Sequence, residues 1–374
     1  MSTPSWLREQ REAMMDALLR WFAEAARPLP WREERTPYRV WVAEVMLQQT
    51  QVEKVKRYYT AFLRRFPTVE ALAAAPLEAV LKAWEGLGYY RRARALHRAA
   101  QTIVAEYGGR LPDEVSALRR LPGVGAYTAG AVASLAFGRA APAVDGNVRR
   151  VMARVLAHPA PPRAEIEEAV SLLLPADEAG TFNEALMELG ATVCRPRHPQ
   201  CRRCPWRPFC RAHREGAPEQ YPAPKGRPAL PHYDVVAAVI IGEEGRVLLA
   251  QRRAEDMLGG LWEFPGGKRE ADETREAALR RELLEEMAIH IEVGEPLIEM
   301  EHAYTHFRIT LTAFRARLVA GEVRCLECDA FLWADEADLE RLPMSVTDRR
   351  IATLVAPLLG TRLTAGEGRA TPPT

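Results

Sequence analysis

LPGVGAYTAGAVASLAFGRAAPAVDGN, residues 121–147, is the stretch whose reading decides the fold. It opens with Leu-Pro-Gly-Val-Gly, whose glycines, Gly123 and Gly125, permit positive φ and close backbone approach. A run of small residues follows and reads as a helix over 126–137. Amides freed by the turn and by the first helical residues, 126–128, would point at one spot and favour a phosphate there. Such a turn also serves merely to start a helix, and both readings stand at this point. After a further apolar run comes Val144-Asp145-Gly146-Asn147, a lone carboxylate in a tight turn. The stretch therefore sets an anion seat beside an acid.

Working outward, the 374 residues are enough for about two domains, each with its own core. The composition is that of an ordinary soluble protein, and no apolar run is long enough to span a bilayer. The first residues lack the basic and apolar regions of a signal peptide, so a cytoplasmic location is expected. A formal charge of +1 conceals an asymmetry: residues 1–232 hold 34 Lys/Arg against 24 Asp/Glu, or +10, which leaves −9 for the rest. A polyanionic partner thus suits the first part only. Arg91, Arg92, Arg94 and Arg98 follow GLGYY (86–90), where aromatics interleave with charge and DNA contact is expected. A solvated surface with a chance imbalance is the plainer reading.

Residues 5–26 read as one amphipathic helix, ended by RPLPWR (27–32). Residues 38–59 carry helical periodicity with one anomaly, Glu44, set in the apolar run Val40-Trp-Val-Ala-Glu-Val-Met-Leu47. Burying an unpaired carboxylate costs several kcal/mol by order of magnitude, so its pKa should rise. A neutral carboxyl near pH 7 is a proton donor, and a purine leaves its sugar readily only when a ring nitrogen is protonated. A Glu on a polar face of the helix is the alternative. Gln48, Gln49, Thr50 and Gln51 then offer four polar groups at a helix end, suited to reading base edges or to ordinary helix-end chemistry. Asp145, in a polar turn, should stay ionised and could steady a cationic sugar, with Asn147 holding it by amide hydrogen bonds.

Four of the six cysteines, Cys194, Cys201, Cys204 and Cys210, fall in one short segment spaced C-x6-C-x2-C-x5-C among arginines. Disulfides are disfavoured in the cytoplasm, which leaves a metal centre as the physical reading. The remaining Cys325-Leu-Glu-Cys328 reads as a pair of free thiols.

The hairpin, the aspartate loop and the cysteine spacing resemble the helix-hairpin-helix glycosylase superfamily, and the whole chain resembles its MutY family of adenine DNA glycosylases. That resemblance implies an all-helical glycosylase domain over 1–212 that grips DNA, with a 4Fe-4S cluster rather than zinc on the 194–210 loop. It implies base excision repair: hydrolysis of the bond to a flipped-out adenine opposite 8-oxoguanine or guanine in double-stranded DNA, with Glu44 as acid and Asp145 as stabiliser. Arg27, Trp31 and Arg32 match the family's signature for a wall of the adenine pocket, and Glu184 its contact to the adenine edge. Leu87 and Tyr89 match wedges inserted in the duplex beside the lesion, although a helix-helix turn with buried aromatics fits the same residues. Tyr127 stands where the endonuclease III branch carries a Schiff-base lysine, which implies a monofunctional enzyme that leaves an abasic site.

Residues 213–232 are Pro-rich and read as a semi-rigid linker, after which the periodicity changes to strands at 233–241 and 246–251. From Gly267 the chain closely resembles a Nudix box, with Glu273, Arg281, Glu282, Glu285 and Glu286 in place and Ala288 where the pattern has glycine. Glu282, Glu285 and Glu286 share a helix face and could hold Mg²⁺ if the box is active. An α/β Nudix-like domain over 233–360 is expected, recognising 8-oxoguanine through Thr305 and His306 without hydrolysing nucleotides. A last helix is expected at 347–359 and a flexible tail at 361–374. The expected protein is a monomer, nucleoid-associated, with no membrane contact. The rivals are a glycosylase with lyase activity, a nucleotide pyrophosphohydrolase, and a mismatch-binding protein without catalysis.

Overall fold

The computed structural model describes residues 4–224, 226 and 229–360, so the expected tail at 361–374 lies outside the described residues. The chain divides into two compact units: Met1–Ala75 with Ala95–Arg227, and Pro76–Arg94 with Pro228–Thr374. Neither is contiguous in sequence.

The described part of the first unit is helical. Thr36 accepts a hydrogen bond from Arg39 N and Pro37 takes the first helical position, which together start the Pro37–Leu47 helix. Eight of its residues, including Glu44, are buried, so this is an interior helix rather than a surface one. It packs on the Ala126–Phe137 helix, whose small residues Ala129, Ala131 and Ala133 are fully buried and let the axes come close. A second core forms where Met14 and Leu18 of the Arg11–Ala25 helix meet Phe182, Leu186 and Leu189 of the Ala179–Thr192 helix around Trp206. The expected single helix at 5–26 is two, Ser5–Glu9 and Arg11–Ala25, broken at Gln10.

Two three-stranded sheets build the second unit. β1 (His232–Ile240), β5 (Arg308–Ala320) and β4 (His290–Ala303) form the first in the order β1-β5-β4, with β1 and β5 parallel. β3 (Trp262–Glu263), β2 (Val247–Arg252) and β6 (Cys328–Ala334) form the second, in the order β3-β2-β6, all antiparallel. Alternate residues of β1 serve two cores. Val236, Ala238 and Ile240 meet Leu279, Leu283 and Met287 of the Arg275–Met287 helix, while Ala237 and Val239 join Ile351 and Val355 of the Val346–Val355 helix. This is the α/β layering expected after the helical part.

Candidate active site

The first unit contains a cavity of about 980 Å³ lined by Glu44, Tyr127, Asp145, Asn147 and Glu184 among others. That is near the upper end of the ~300–1,000 Å³ typical of small-molecule sites, roomy enough for a base with its sugar. Glu44 is only 5% exposed, which removes the reading of a surface residue. Burial pushes its carboxyl up to about 7; the Tyr127 hydroxyl opposes that shift, and the nearby Glu184 and Asp145 charges add to it. Tyr127 donates to Glu44 Oε2 at 2.6 Å and lies 3.2 Å from Met187 Sδ. None of the described residues lining the cavity is a lysine.

Asp145 sits at the start of the Gly146–Leu156 helix as its N-cap, accepting from Val148 N at 2.7 Å. Asn147 Nδ2 donates to its other oxygen at 2.8 Å. Burial raises its carboxyl above the ordinary value, while these hydrogen bonds and Arg150 pull the other way. The polar turn is therefore less solvated than its sequence implies, but its acid is surrounded by donors that favour the anion. Gly190 is required beside it, because a Cβ there would come within 2.6 Å of Asn147 Cβ.

The remaining wall is a charge network. Arg27 Nε donates to Glu188 Oε1 at 2.5 Å, and Arg32 reaches both Glu184 and Glu188 at 3.1 Å. Burial pushes Glu188 up, but Arg27 and Arg32 outweigh it and hold its carboxyl below the usual value. Glu184 Oε2 also pairs with Arg35 at 2.6 Å, as an ion pair without hydrogen-bond alignment. Trp31 is buried against Tyr59, edge to face. All three residues of the expected wall, Arg27, Trp31 and Arg32, thus line the cavity.

Gln48, Gln49, Thr50 and Gln51 line it too, just past the end of the Pro37–Leu47 helix. Gln48 Nε2 donates to Thr128 Oγ1 at 2.9 Å, and Gln49 adopts a left-handed backbone with φ 56°. Of the two hairpin glycines only Gly123 has positive φ, 75°. Gly125 has ordinary extended backbone at φ −85° as the helix N-cap, so its expected conformational role does not hold. What its missing side chain provides is space: nothing lies within 4 Å of where a Cβ would be.

Asn147 Oδ1 accepts from Arg150 at 2.9 Å, and Arg150 Nε donates to Cys194 O at 2.8 Å. Arg154, 2% exposed, donates to Cys194 Sγ at 3.2 Å and to Arg195 O and Pro196 O at 2.7 and 2.9 Å. Cys194, Cys201, Cys204 and Cys210 line one small cavity with Arg154 and Arg207. Among the described residues no three His, Cys, Asp or Glu side chains are placed to hold a metal ion.

In the second unit, Tyr89 OH lies 2.5 Å from Thr305 Oγ1, and Thr305 and His306 are exposed. Leu87 is 3% exposed, so the expectation of an exposed loop-end leucine is corrected: the loop folds back, Leu87 N donating to Trp84 O at 3.0 Å. Arg92 and Arg94 also turn inward, Arg92 over the Trp84 and Tyr89 rings and Arg94 onto Gly259 O, leaving Arg91 and Arg98 exposed. Arg281 takes up Glu273, Glu282 and Glu285. Burial pushes Glu286 up to about 7. Cys325 and Cys328 form a disulfide, which corrects the reading of free thiols. Arg324 N, Leu326 N and Glu327 N all bond to carbonyls at the end of the Arg275–Met287 helix, and that tight turn brings the two Cα atoms to 5.0 Å.

Three supporting residues escaped sequence reasoning. Asn183, fully buried, accepts from Ala143 N and donates to Ser134 Oγ and Ala141 O, fixing the loop that delivers Asp145. An amide inside the apolar helix TFNEALMEL was its signal. Arg150 and Arg154 carried no such signal, since arginines are frequent throughout this half.

The HhH-GPD superfamily of base excision DNA repair proteins matches residues 42–176, and the NUDIX domain matches residues 236–354. An adenine DNA glycosylase of Homo sapiens is 37% identical over 81% of this chain and 66% of its own length. One of Rattus norvegicus is 37% identical over 80% of this chain and 70% of its own. The chain therefore spans about two thirds of these relatives. A solved thermostable thymine-DNA glycosylase superposes with TM-score 0.52 and 31% identity over 55% of this chain and 98% of its own. Matching relatives along most of its length, and carrying both domains in that order, the chain belongs to the adenine DNA glycosylase family.

Proposed function

We propose that this DNA glycosylase is monofunctional and removes a flipped-out adenine mispaired with 8-oxoguanine or guanine in double-stranded DNA. The observation that carries the reading is Glu44: a buried carboxyl raised to about 7, sharing one cavity with Asp145. Held through one oxygen by Tyr127, Glu44 presents the other as a proton donor to a ring nitrogen of adenine. The glycosidic electron pair leaves with the protonated base, and Asp145 steadies the cationic sugar. Glu44, now ionised, takes a proton from water as its oxygen bonds to the sugar, which regenerates the acid and leaves an abasic site. Asn147 orients Asp145, while Trp31, Arg27, Arg32 and Glu184 frame the base.

Gly123, Gly125 and the helix start behind them suit a DNA phosphate, and Gln48, Gln49 and Thr50 suit the neighbouring bases. Tyr89, Thr305 and His306, with Leu87 supporting the loop from inside, suit recognition of the base opposite adenine. Cys194, Cys201, Cys204 and Cys210 would hold a 4Fe-4S cluster: the four thiols line one cavity beside the buried cation Arg154, and four cysteines are the donor set such a group takes. When bound, that group cross-links the 194–210 loop. In this reading the glycosylase domain is 1–212, the linker 213–232 and the Nudix-like domain 233–360, acting as a monomer at the nucleoid.

Adenine release from A:8-oxoguanine and A:G duplexes tests the reading, with release by the wild type and none by Glu44→Gln expected. Persistent release by Glu44→Gln would defeat it. Borohydride trapping of a covalent DNA complex would instead point to a lyase, and Mg²⁺-dependent pyrophosphate release from oxidised dGTP to a nucleotide hydrolase.

A further inference from the structure

The segment Pro76–Arg94 packs as part of the second unit, and charged side chains make much of the attachment. Glu85 ends the Leu77–Trp84 helix and is largely buried. It accepts two bonds from Arg349, Nε to Oε1 at 2.6 Å and Nη2 to Oε2 at 3.0 Å, and Lys82 Nζ lies 3.1 Å from Oε2. Met344 N also points at Oε2, at 3.4 Å. Arg349 Nη2 donates further to Leu342 O at 2.6 Å. Five residues on, Tyr90 OH donates to Met344 O and accepts from Gly86 N, both at 3.2 Å. Both ends of the 85–90 loop are therefore fixed to the segment around Met344 that leads into the Val346–Val355 helix.

Between those anchors, Tyr89 is held at φ 52°, a left-handed conformation disfavoured for a tyrosine by about 1 kcal/mol. Arg92 lies 5.3 Å over its ring, and its hydroxyl meets Thr305. A strained residue keeps its place only where its surroundings fix it. None of the anchoring residues lines the cavity that holds Glu44 and Asp145.

We infer that Glu85 and Arg349 are a positioning pair: they pin the 85–90 loop so that Tyr89 and Thr305 present one surface to the base opposite adenine, and so set discrimination rather than chemistry. The inference rests on the proposed mispair reading. If the pair is broken, Tyr89 relaxes away from Thr305 and the preference for the oxidised base narrows, while the excision step itself is untouched.

Single-turnover adenine release by the full chain, on A:8-oxoguanine and A:G duplexes, tests this with Glu85→Gln, Arg349→Met, Arg349→Lys, Tyr89→Phe and the double variant Glu85→Gln/Tyr89→Phe. Glu85→Gln and Arg349→Met should each narrow the ratio of the two rates by about tenfold, as expected for loss of a charge-assisted two-point bond, with the A:G rate unchanged. Arg349→Lys should recover part of the ratio. Glu85→Gln should add nothing in the Tyr89→Phe background, because both act through the same hydroxyl. Equal slowing on both duplexes, or full additivity with Tyr89→Phe, would overturn the inference. Variants that discriminate as well as a discriminating wild type would overturn it alone, whereas a wild type releasing adenine from neither duplex would overturn the function reading and this inference with it.

Discussion

An ionised carboxylate at position 44 has Trp41, Val45 and Met46 as buried neighbours on its own helix, and only the Tyr127 hydroxyl donates to it among the hydrogen bonds described. Folding therefore raises its pKa from 4.5 to about 7. By linkage, the unfolded chain ionises first as pH rises, so the stability this carboxyl leaves intact below pH 4.5 is lost progressively up to about 7. Glu44→Gln, which cannot ionise, should be more stable than the wild type at pH 8 by a few kcal/mol, at about 1.4 kcal/mol per pKa unit, with little difference at pH 4. Chemical denaturation at the two pH values checks this, and equal stability at both would contradict it. Asp145 is raised by burial too, but it also caps a helix. Asn caps a helix about as well as Asp, so Asp145→Asn should cost little stability while abolishing adenine release. A large loss of stability with retained release would reverse the assignment.

At the scale of elements, the chain states its helices well where periodicity and caps agree. The 126–137 helix falls where the small-residue run places it, and β1 and β2 lie within one residue of their expected bounds. The turn at Gln10 cuts what reads as continuous helix, because helical periodicity alone does not register a short interruption, whereas the break at 48–51 falls where four polar groups suggest a helix end. Among site residues, Glu44 announced itself by chemistry out of place, and Asp145 by a lone acid in a turn. Asn183 left a signal that went unread, an amide inside an apolar helix, whereas Arg150 and Arg154 reach tertiary neighbours 40 residues away, which local spacing cannot reveal. Leu87 left two readings open because a leucine between glycines looks the same whether the loop opens or folds back; here it is buried. The one departure from the Nudix box has a structural consequence: Ala288, at the C-cap of the Arg275–Met287 helix, stands at φ 57°, where glycine carries no penalty. Ala288→Gly should raise the stability of the second unit by about 1 kcal/mol, read as an upward shift of its denaturation midpoint. A lower midpoint would show that the left-handed cap is not strained.

For the molecule as a whole, the Pro-rich stretch marks a change in periodicity and charge, but it is not where packing divides. Pro76–Arg94 belongs with the C-terminal unit through Trp262, Met344 and Arg349, contacts that no pattern within the segment foretells. Removing residues 228–374 should therefore expose that segment. Limited trypsin digestion of a 1–227 fragment should cut at Lys82, Arg92 or Arg94, where the full chain resists; the same pattern in both would contradict the division. The central claim is that a neutral Glu44 delivers the proton that releases adenine. It is tested most directly by the pH dependence of single-turnover adenine release from an A:8-oxoguanine duplex. A rate that holds below pH 7 and falls above it, and that vanishes in Glu44→Gln, is the result expected from a carboxyl poised near 7. A fall already complete by pH 5, or a Glu44→Gln variant that keeps the wild-type profile, would contradict it.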